Sequence, residues 1–397
     1  MRHGTIQFWY TMRMEFRDIL ILVNVTATDN VYPTLIQYAR EHRWRLTIED
    51  RMAPPKGWRG DGAIVQAMDW PVISRYVKSL TKRGIPVVNL VNSKVGHSLP
   101  SCVIDIRKSA ETAATHFLER GFSHAVYFAM EWLSSRDVSF AVFAKAMKGC
   151  DVQKWAWPAE ARGRRVNDRA AMTKWLLGKL RGAERPLAVM CPNAYNAVTF
   201  LNACLDAGIA VPDEVAIMCD AYDPAFCDCQ AVPITGIEYD TRHQALEGAA
   251  LLDRLIDGDK DGPTRIVIPP TRIVVQQSTD VIATTNELLR KALRFIRENI
   301  GRPFGAADIA ASLEVPRIQL DRLFAAELRR SAGKEILRQR LAKAKQLLSE
   351  TDDTLAAIAS SCGFCHASYL VNAFKKATGT TPHRYRCGKR EATAPRP

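Results

Sequence analysis

Between Thr354 and Arg386 the chain reads TLAAIASSCGFCHASYLVNAFKKATGTTPHRYR, and this stretch constrains the fold more than any other. Leu355, Ile358 and Ala359 share one helical face, Cys362-Gly363-Phe364 interrupts the periodicity, and Leu370 and Phe374 open a second apolar face four residues apart. Two short helices joined by a glycine turn form a helix-turn-helix, whose second helix enters a DNA major groove. An equivalent unit precedes it. Ala306 to Leu313 predicts its leading helix, Glu314-Val315 the turn, and Pro316 to Ala326 a second helix with Leu320, Leu323 and Phe324 inward. Lys334 to Ser349 bridges the units as one helix, with an apolar stripe of Ile336, Leu337, Leu341, Ala344, Leu347 and Leu348. At 1.5 Å per residue it spans roughly 24 Å, which allows two recognition helices about one DNA turn apart.

Charge agrees with this placement. Residues 281–397 hold 21 Lys/Arg against 11 Asp/Glu, while the first 280 residues hold 34 against 31. A polyanionic partner is therefore expected for the last third alone, since phosphate neutralisation supplies the sequence-independent part of DNA affinity. On the first recognition helix Arg317, Ile318, Gln319, Asp321 and Arg322 are the expected DNA residues, with Ala325 on the same face. Arg322 is suited to bidentate contact with guanine, and Arg317 and Gln319 to the backbone. On the second, His366, Ala367, Ser368, Asn372, Lys375 and Lys376 are expected, with Val371 beside them and Tyr369, Leu370 and Phe374 toward the core. Asn372 is suited to adenine and the lysines to phosphate.

The series CGF, FKK, G-x-TP and YR resembles the signature of the AraC/XylS family of bacterial transcription regulators. Where that family carries glycine and a serine N-cap before the first recognition helix, this chain has Glu314, Val315 and Pro316, so a capping hydroxyl worth about 1 kcal/mol is missing.

Before this region, short apolar runs alternate with helical stretches: Ile19–Val25, Leu46–Glu49, Ala63–Gln66, Pro86–Leu90, Val103–Ile106, Ala125–Phe128, Leu187–Cys191, Val215–Cys219 and Ile234–Glu238. Continuous apolar runs with intervening helices predict parallel, doubly buried strands of an α/β fold. So many strands suit two lobes with a cleft between them better than one sheet. The stretch from Met130 to Pro186 reads as mostly helical. Gly121 and Gly208 are expected to end the helices Ser109–Arg120 and Ala194–Ala207. The resulting organisation is a poorly ordered lead-in (1–17), a two-lobed α/β effector and dimerisation domain (18–276), a polar linker (277–286), an all-α DNA-binding domain with two helix-turn-helix units (287–390) and a tail (391–397).

Gly60-Asp61-Gly62-Ala63-Ile64, Ile85-Pro86-Val87-Val88, Ile104-Asp105, Ala113 to Phe122, Val211-Pro212-Asp213-Glu214-Val215 and Ile268-Pro269-Pro270 resemble a LacI-type, periplasmic-binding-protein-like effector domain. Joined to the C-terminal signature, they resemble the arrangement of xylose-operon regulators within the AraC/XylS family. The resemblance implies a small-molecule effector, a sugar, bound between the lobes, a homodimer on promoter DNA, and contact with RNA polymerase by an activator. Asp29, Asn30, Asp105, Arg136, Phe140, Asn193 and Asp223 are the expected effector residues, on loops after strand C-termini. Arg136 to Phe140 resembles the family's R-x-x-G-F segment. Ala27-Thr28-Asp29 stands where the family has Tyr-Gly-Arg, Ala194 where Asn193 would be followed by Asp, and Ala221-Tyr222-Asp223 where it has D-N-D, so several hydroxyl partners for xylose are missing.

No G-x-G-x-x-G follows a strand, and neither G-x-S-x-G nor H-E-x-x-H occurs, which leaves enzymatic readings without a motif. A methyl-acceptor repair protein would need a cysteine-rich zinc module, and a solute-binding protein would have no use for two helix-turn-helix units. The ten cysteines are scattered, and Cys362-x-x-Cys365 lacks a second pair at zinc spacing, so neither metal nor cofactor is expected. No apolar run reaches the roughly 18 residues of a membrane helix, and no secretory signal is read, so a cytoplasmic location is expected.

Overall fold

A computed structural model describes residues 16–23, 30–49, 54–67, 70–130, 135–157, 169–259, 261–284 and 286–393. The chain divides into two compact units, Met1–Ala283 and Thr284–Pro397.

In the first unit the apolar runs become strands β1 (Arg17–Leu22), β2 (Trp44–Glu49), β3 (Gly62–Val65), β4 (Val87–Asn89) and β5 (Ser101–Ile104), then β6 (His124–Met130), β7 (Asp151–Trp157), β8 (Leu187–Cys191), β9 (Val215–Cys219) and β10 (Thr235–Tyr239), and finally β11 (Arg265–Ile268) and β12 (Pro270–Val274). Helices α1 (Val31–Glu41), α2 (Pro71–Lys82), α3 (Ile106–Glu119), α4 (Ser135–Ala146), α5 (Arg169–Arg181), α6 (Ala194–Asp206), α7 (Pro224–Cys227) and α8 (Thr241–Ile256) alternate with them.

The strands form two six-stranded sheets with matching orders, β11-β5-β4-β3-β1-β2 and β12-β10-β9-β8-β6-β7. The first is parallel throughout; in the second only β12 runs antiparallel, on β10. The chain passes between the lobes after β5, after β10 and between β11 and β12. Helix α3 follows β5 of the first sheet yet packs Ala110, Ala113, Ala114 and Phe117 against Tyr127, Met190, Met218 and Ile237 of the second. Helix α8 returns the exchange, burying Ala245, Ala249 and Leu252 against Ile19, Ile21, Ile64 and Val88 of the first. Each lobe is thus sealed by a helix that a strand of the other lobe delivers, α3 by β5 and α8 by β10. Gly121 and Gly208 take φ of +82° and +66° and stop α3 and α6 as the sequence predicts.

Three differences from the sequence reading stand out. Helices α4 and α5 take up most of the described residues of Met130–Pro186, but between them lies β7, an edge strand on β6 that buries only Trp155 and Trp157, so its polar outer positions conceal it. Strands β11 and β12 were also absent from the predicted set; they are half-exposed edges rather than continuous apolar runs. Third, residues 277–283 are not free linker. Ser278 and Thr279 are buried: Ser278 N–H donates to the Pro233 carbonyl (2.9 Å), and Ser278 Oγ donates to the Ile217 carbonyl (2.5 Å) while accepting from Thr235 N–H (2.8 Å). Thr279 Oγ1 pairs with Thr235 Oγ1 (2.8 Å) and His116 Nε2 (2.9 Å), and the Ala283 N–H donates to the Arg120 carbonyl (2.8 Å). Polar composition suggested a linker; these side chains instead complete buried backbone hydrogen bonds. Of the expected lead-in, Arg17 opens β1, and residues 1–15 lie outside the described residues.

The second unit consists of α9 (Glu287–Asn299), α10 (Ala306–Ser312), α11 (Arg317–Leu328), α12 (Ala332–Glu350), α13 (Leu355–Ser361), α14 (Ala367–Thr378) and α15 (Pro382–Thr393). Asn286 caps α9 by accepting from Leu289 N–H, Ser331 caps α12 and Thr354 caps α13 in the same way. Leu341, Ala344 and Leu348 of α12, with Ile358, Cys362, Phe364, Leu370 and Phe374, form one core. At 19 residues, α12 is about 28 Å long.

Candidate nucleic-acid and effector sites

Helices α10 and α11 meet at Leu313 to Pro316, and α13 and α14 at Cys362 to His366. Leu320 and Phe324 are fully buried on α11, as are Leu370 and Phe374 on α14, so each second helix turns its remaining faces outward. On α11, Arg317, Ile318, Gln319, Arg322 and Ala325 are exposed, Ile318 to 66%. Asp321 is half-buried and forms an i,i+4 ion pair with Arg317 (3.5 Å), which leaves Arg322 as the outward cation at the middle of the helix. Pro316 occupies the N-cap without a side-chain bond, so the capping hydroxyl is indeed missing there.

On α14, His366, Ser368, Asn372, Lys375 and Lys376 are exposed, while Ala367 packs partly on the core. Tyr369 corrects the expectation that it points inward. It is 54% exposed, with its ring edge-on to Phe364 at 5.8 Å. Position 369 falls 100° before Leu370 on the helical wheel, at the border of the apolar stripe, where a phenol keeps one ring contact and leaves about half its surface in solvent. Cys362 is buried in the core, and Cys365 is exposed just ahead of His366, the N-cap of α14.

Of the effector candidates, Asp105, Asn193 and Asp223 follow strands, and each of these three already has structural work. Asp105 caps α3 by accepting from Arg107 and Lys108 N–H (3.1 and 2.9 Å). Asn193 caps α6 through Asn196 N–H (2.9 Å), and Asp223 caps α7 through Ala225 N–H (3.0 Å). Asn30 precedes α1 without a side-chain cap. Asp29 lies outside the described residues. Arg136 is 5% exposed on α4, and burial brings its pKa down to about 10, opposed by Tyr127 and Cys191. Phe140, one turn on, sets its ring edge-on to Tyr127 at 6.1 Å. Arg136 and Phe140 therefore share one wall, whereas Asp105, Asn193 and Asp223 stand at separate strand ends.

The residue that sequence reasoning passed over is Asp220. It follows β9 directly, is buried, and accepts from Ser109 Oγ (2.6 Å), Tyr239 Oη (2.8 Å) and Ala221 N–H (3.0 Å). Burial raises its pKa and these three donors oppose the rise. The network joins the end of β9 to the last residue of β10 and to the first turn of α3. An acid placed directly after the fully apolar run Val215–Cys219 is the signal for it in the sequence. Among the described residues, an open groove between α3 and α4, lined by Arg107, Glu111, Asp137, Val142 and Lys145, contains none of the candidates.

Residues 114–279 match the family model of a periplasmic binding protein-like domain, and residues 309–387 that of a helix-turn-helix domain. Fold and domain pair together define a DNA-binding transcription regulator, with a periplasmic-binding-like domain joined to an AraC-type double helix-turn-helix. The xylose operon regulatory protein of Escherichia coli K12 is 23% identical over 364 residues, covering 88% of this chain and 90% of its own. That of Haemophilus influenzae is 24% identical over 300 residues, covering 72% and 74%. The solved structure of the xylose-binding transcription activator xylR superposes with a TM-score of 0.70 at 21% identity, over 94% of this chain and 99% of that one. Over most of its length the chain is thus similar to the xylose operon regulators. No helix among the described residues is long and apolar enough to cross a membrane.

Proposed function

We propose that this chain is a sequence-specific activator of carbohydrate-utilisation genes, controlled by a sugar held between the two lobes of the first unit. The observation that carries the reading is the pair of exposed recognition faces, Arg317 to Arg322 and Ser368 to Lys376, in one chain with a two-lobed periplasmic-binding-like domain. Arg322 and Asn372 read bases in two adjacent major-groove segments, and Lys375 and Lys376 hold phosphates. Arg136 and Phe140 line the effector side, with Asp105, Asn193 and Asp223 at the neighbouring strand ends. Effector closes the lobes, and closure changes the geometry of a homodimer on direct-repeat half-sites beside RNA polymerase. Such a shift is limited to the effector's differential affinity for the open and closed states.

Xylose is not the effector we expect. Ala194 and Ala221 offer no hydroxyl partner where the resembled pattern carries Asp. Calorimetric titration of the purified full chain with pentoses and hexoses tests this: tight xylose binding would refute it. Genome-wide mapping of bound DNA with and without these sugars tests the regulator itself, and binding without sequence preference would reject that reading.

A further inference from the structure

The DNA-reading unit contains a junction that groove and phosphate contacts do not use. Residues 300–304, which lead into α10, lie against the turn between α13 and α14. At Gly363, with φ +70°, a Cβ would stand 2.6 Å from the carbonyl oxygens of both Ile300 and Arg302. A Cβ at Gly301 would stand 3.2 Å from the Ser361 carbonyl oxygen. Arg340, near the middle of α12, closes the same place. Its Nη2 donates to the Arg302 carbonyl (2.9 Å) and the Phe304 carbonyl (3.4 Å). Its guanidinium carbon lies 5.1 Å from the ring centre of Phe304 and 5.9 Å from that of Phe364. Phe304 is edge-on to Phe295 of α9 (5.6 Å), and Phe364 to Tyr369 of α14 (5.8 Å). One file of side chains, Phe295–Phe304–Arg340–Phe364–Tyr369, therefore runs from the first helix of the unit to the exposed face of its last recognition helix.

We propose that Arg340 is a positioning residue for DNA reading, one that locks the two helix-turn-helix units into a single rigid reader and so sets the spacing and phase of α11 and α14 along the duplex. Helix α12 alone joins the units through a loop at each end, Arg329 to Ser331 and Thr351 to Thr354. A third, non-covalent contact between the 300–304 segment and the Gly363 turn removes the rotation those loops would allow. Guanidinium suits the task because its plane stacks on two rings while its edge still donates to carbonyls, which a lysine cannot reproduce.

The inference rests on the reading of this unit as a DNA reader, and its test separates the two. The probe is the duplex that the full-length wild type selects from a random pool, together with copies carrying one to three extra base pairs between the two groove segments. Wild type is expected to lose about tenfold or more in affinity on the lengthened copies, because the second contact is gained only when the fixed geometry matches. Arg340→Lys is expected to bind the parent duplex about tenfold more weakly and to lose most of that spacing dependence. Phe364→Leu, which keeps the Arg340 bonds to residues 302–304, provides the same comparison should Arg340→Lys fail to fold. A variant that folds and keeps the wild-type spacing profile overturns the proposal. A second readout needs no DNA: spin labels at Glu327 and Ala377 are expected to give a narrow distance distribution in the wild type and a broadened one in either variant. Equal widths overturn the proposal too. Failure of the wild type to select any duplex rejects the DNA-reader reading instead, and the label distances still decide the junction.

Discussion

The two helix-turn-helix units are built to one plan with different chemistry at matching places. Ser331 and Thr381 each precede the helix that follows the recognition helix, Leu320 and Phe324 match Leu370 and Phe374 in the core, and each unit turns through a left-handed residue before and after its recognition helix. In the second unit those residues are Gly363 and Gly379, at φ +70° and +75°. In the first they are Glu314 and Arg329, at +54° and +51°, side chains that carry a steric cost there. The recognition faces differ as well: Arg322 against Asn372, and Ala325-Ala326 against Lys375-Lys376. The second unit has the more relaxed backbone and more of the phosphate-binding charge; the first has the side chain best suited to guanine.

Exchanging these features sharpens the contrast. The largest effect is expected at Gly363→Ala, which combines a left-handed backbone with a Cβ 2.6 Å from two carbonyl oxygens; chemical denaturation should show a loss of roughly 3 kcal/mol or more. Glu314→Ala at the matching turn should change stability by less than about 0.5 kcal/mol, since it exchanges one strained L-residue for another. Next in size, Arg322→Ala and Asn372→Ala are each expected to cost about 2 kcal/mol in binding the selected duplex and to relax preference at one base pair, in different half-elements. Loss of preference at the same base pair in both would contradict the two-groove assignment. Glu314→Gly and Arg329→Gly should each stabilise the DNA-reading domain by about 0.5–1 kcal/mol through its first helix-turn-helix, and no gain in thermal midpoint would show that strain is not what separates the turns. The smallest effects concern salt: Lys375→Ala and Lys376→Ala are each expected to lower the slope of log affinity against log salt by about 1, and Ala325→Lys with Ala326→Lys to raise it by about 2.

Local, periodic features were legible in the sequence. The strands buried on both faces, the glycine stops of α3 and α6 and the two turns of the DNA-reading unit all follow from short-range pattern. What escaped depends on neighbours. Strand β7 is held by pairing along β6, which its mixed composition does not announce. Ser278 and Thr279 read as linker because small hydroxylated residues are common in loops, yet their hydroxyls serve carbonyl and amide groups of β9 and β10 and the ring of His116. Asp105, Asn193 and Asp223 illustrate a different limit. The first residue of a helix after a strand is where a cap belongs and also where a ligand contact belongs, and one-dimensional reasoning assigns the same residue to both. Asp220 went unread because its importance lies in Ser109 and Tyr239, distant in sequence.

The strap formed by residues 277–283 has a consequence in acid. His116, which holds Thr279, is buried, and burial together with the nearby Arg120 depresses its pKa to about 3. An unfolded histidine titrates near 6.5, so below that pH the unfolded chain takes up a proton that the native ring refuses. The contribution of His116 is therefore complete above about pH 6.5 and declines by up to about 1.4 kcal/mol per unit as pH falls toward 3. Asp220, whose folded pKa is raised, contributes the opposite slope, so the His116 effect is read as the difference between wild type and His116→Gln. The residues that fasten the chain to the second lobe just before it leaves for the DNA-reading unit are therefore expected to form a seam that loosens in acid. Amide protection across 277–283 that is the same at pH 5 and pH 7.5, after correction for intrinsic exchange, would show that the seam does not open.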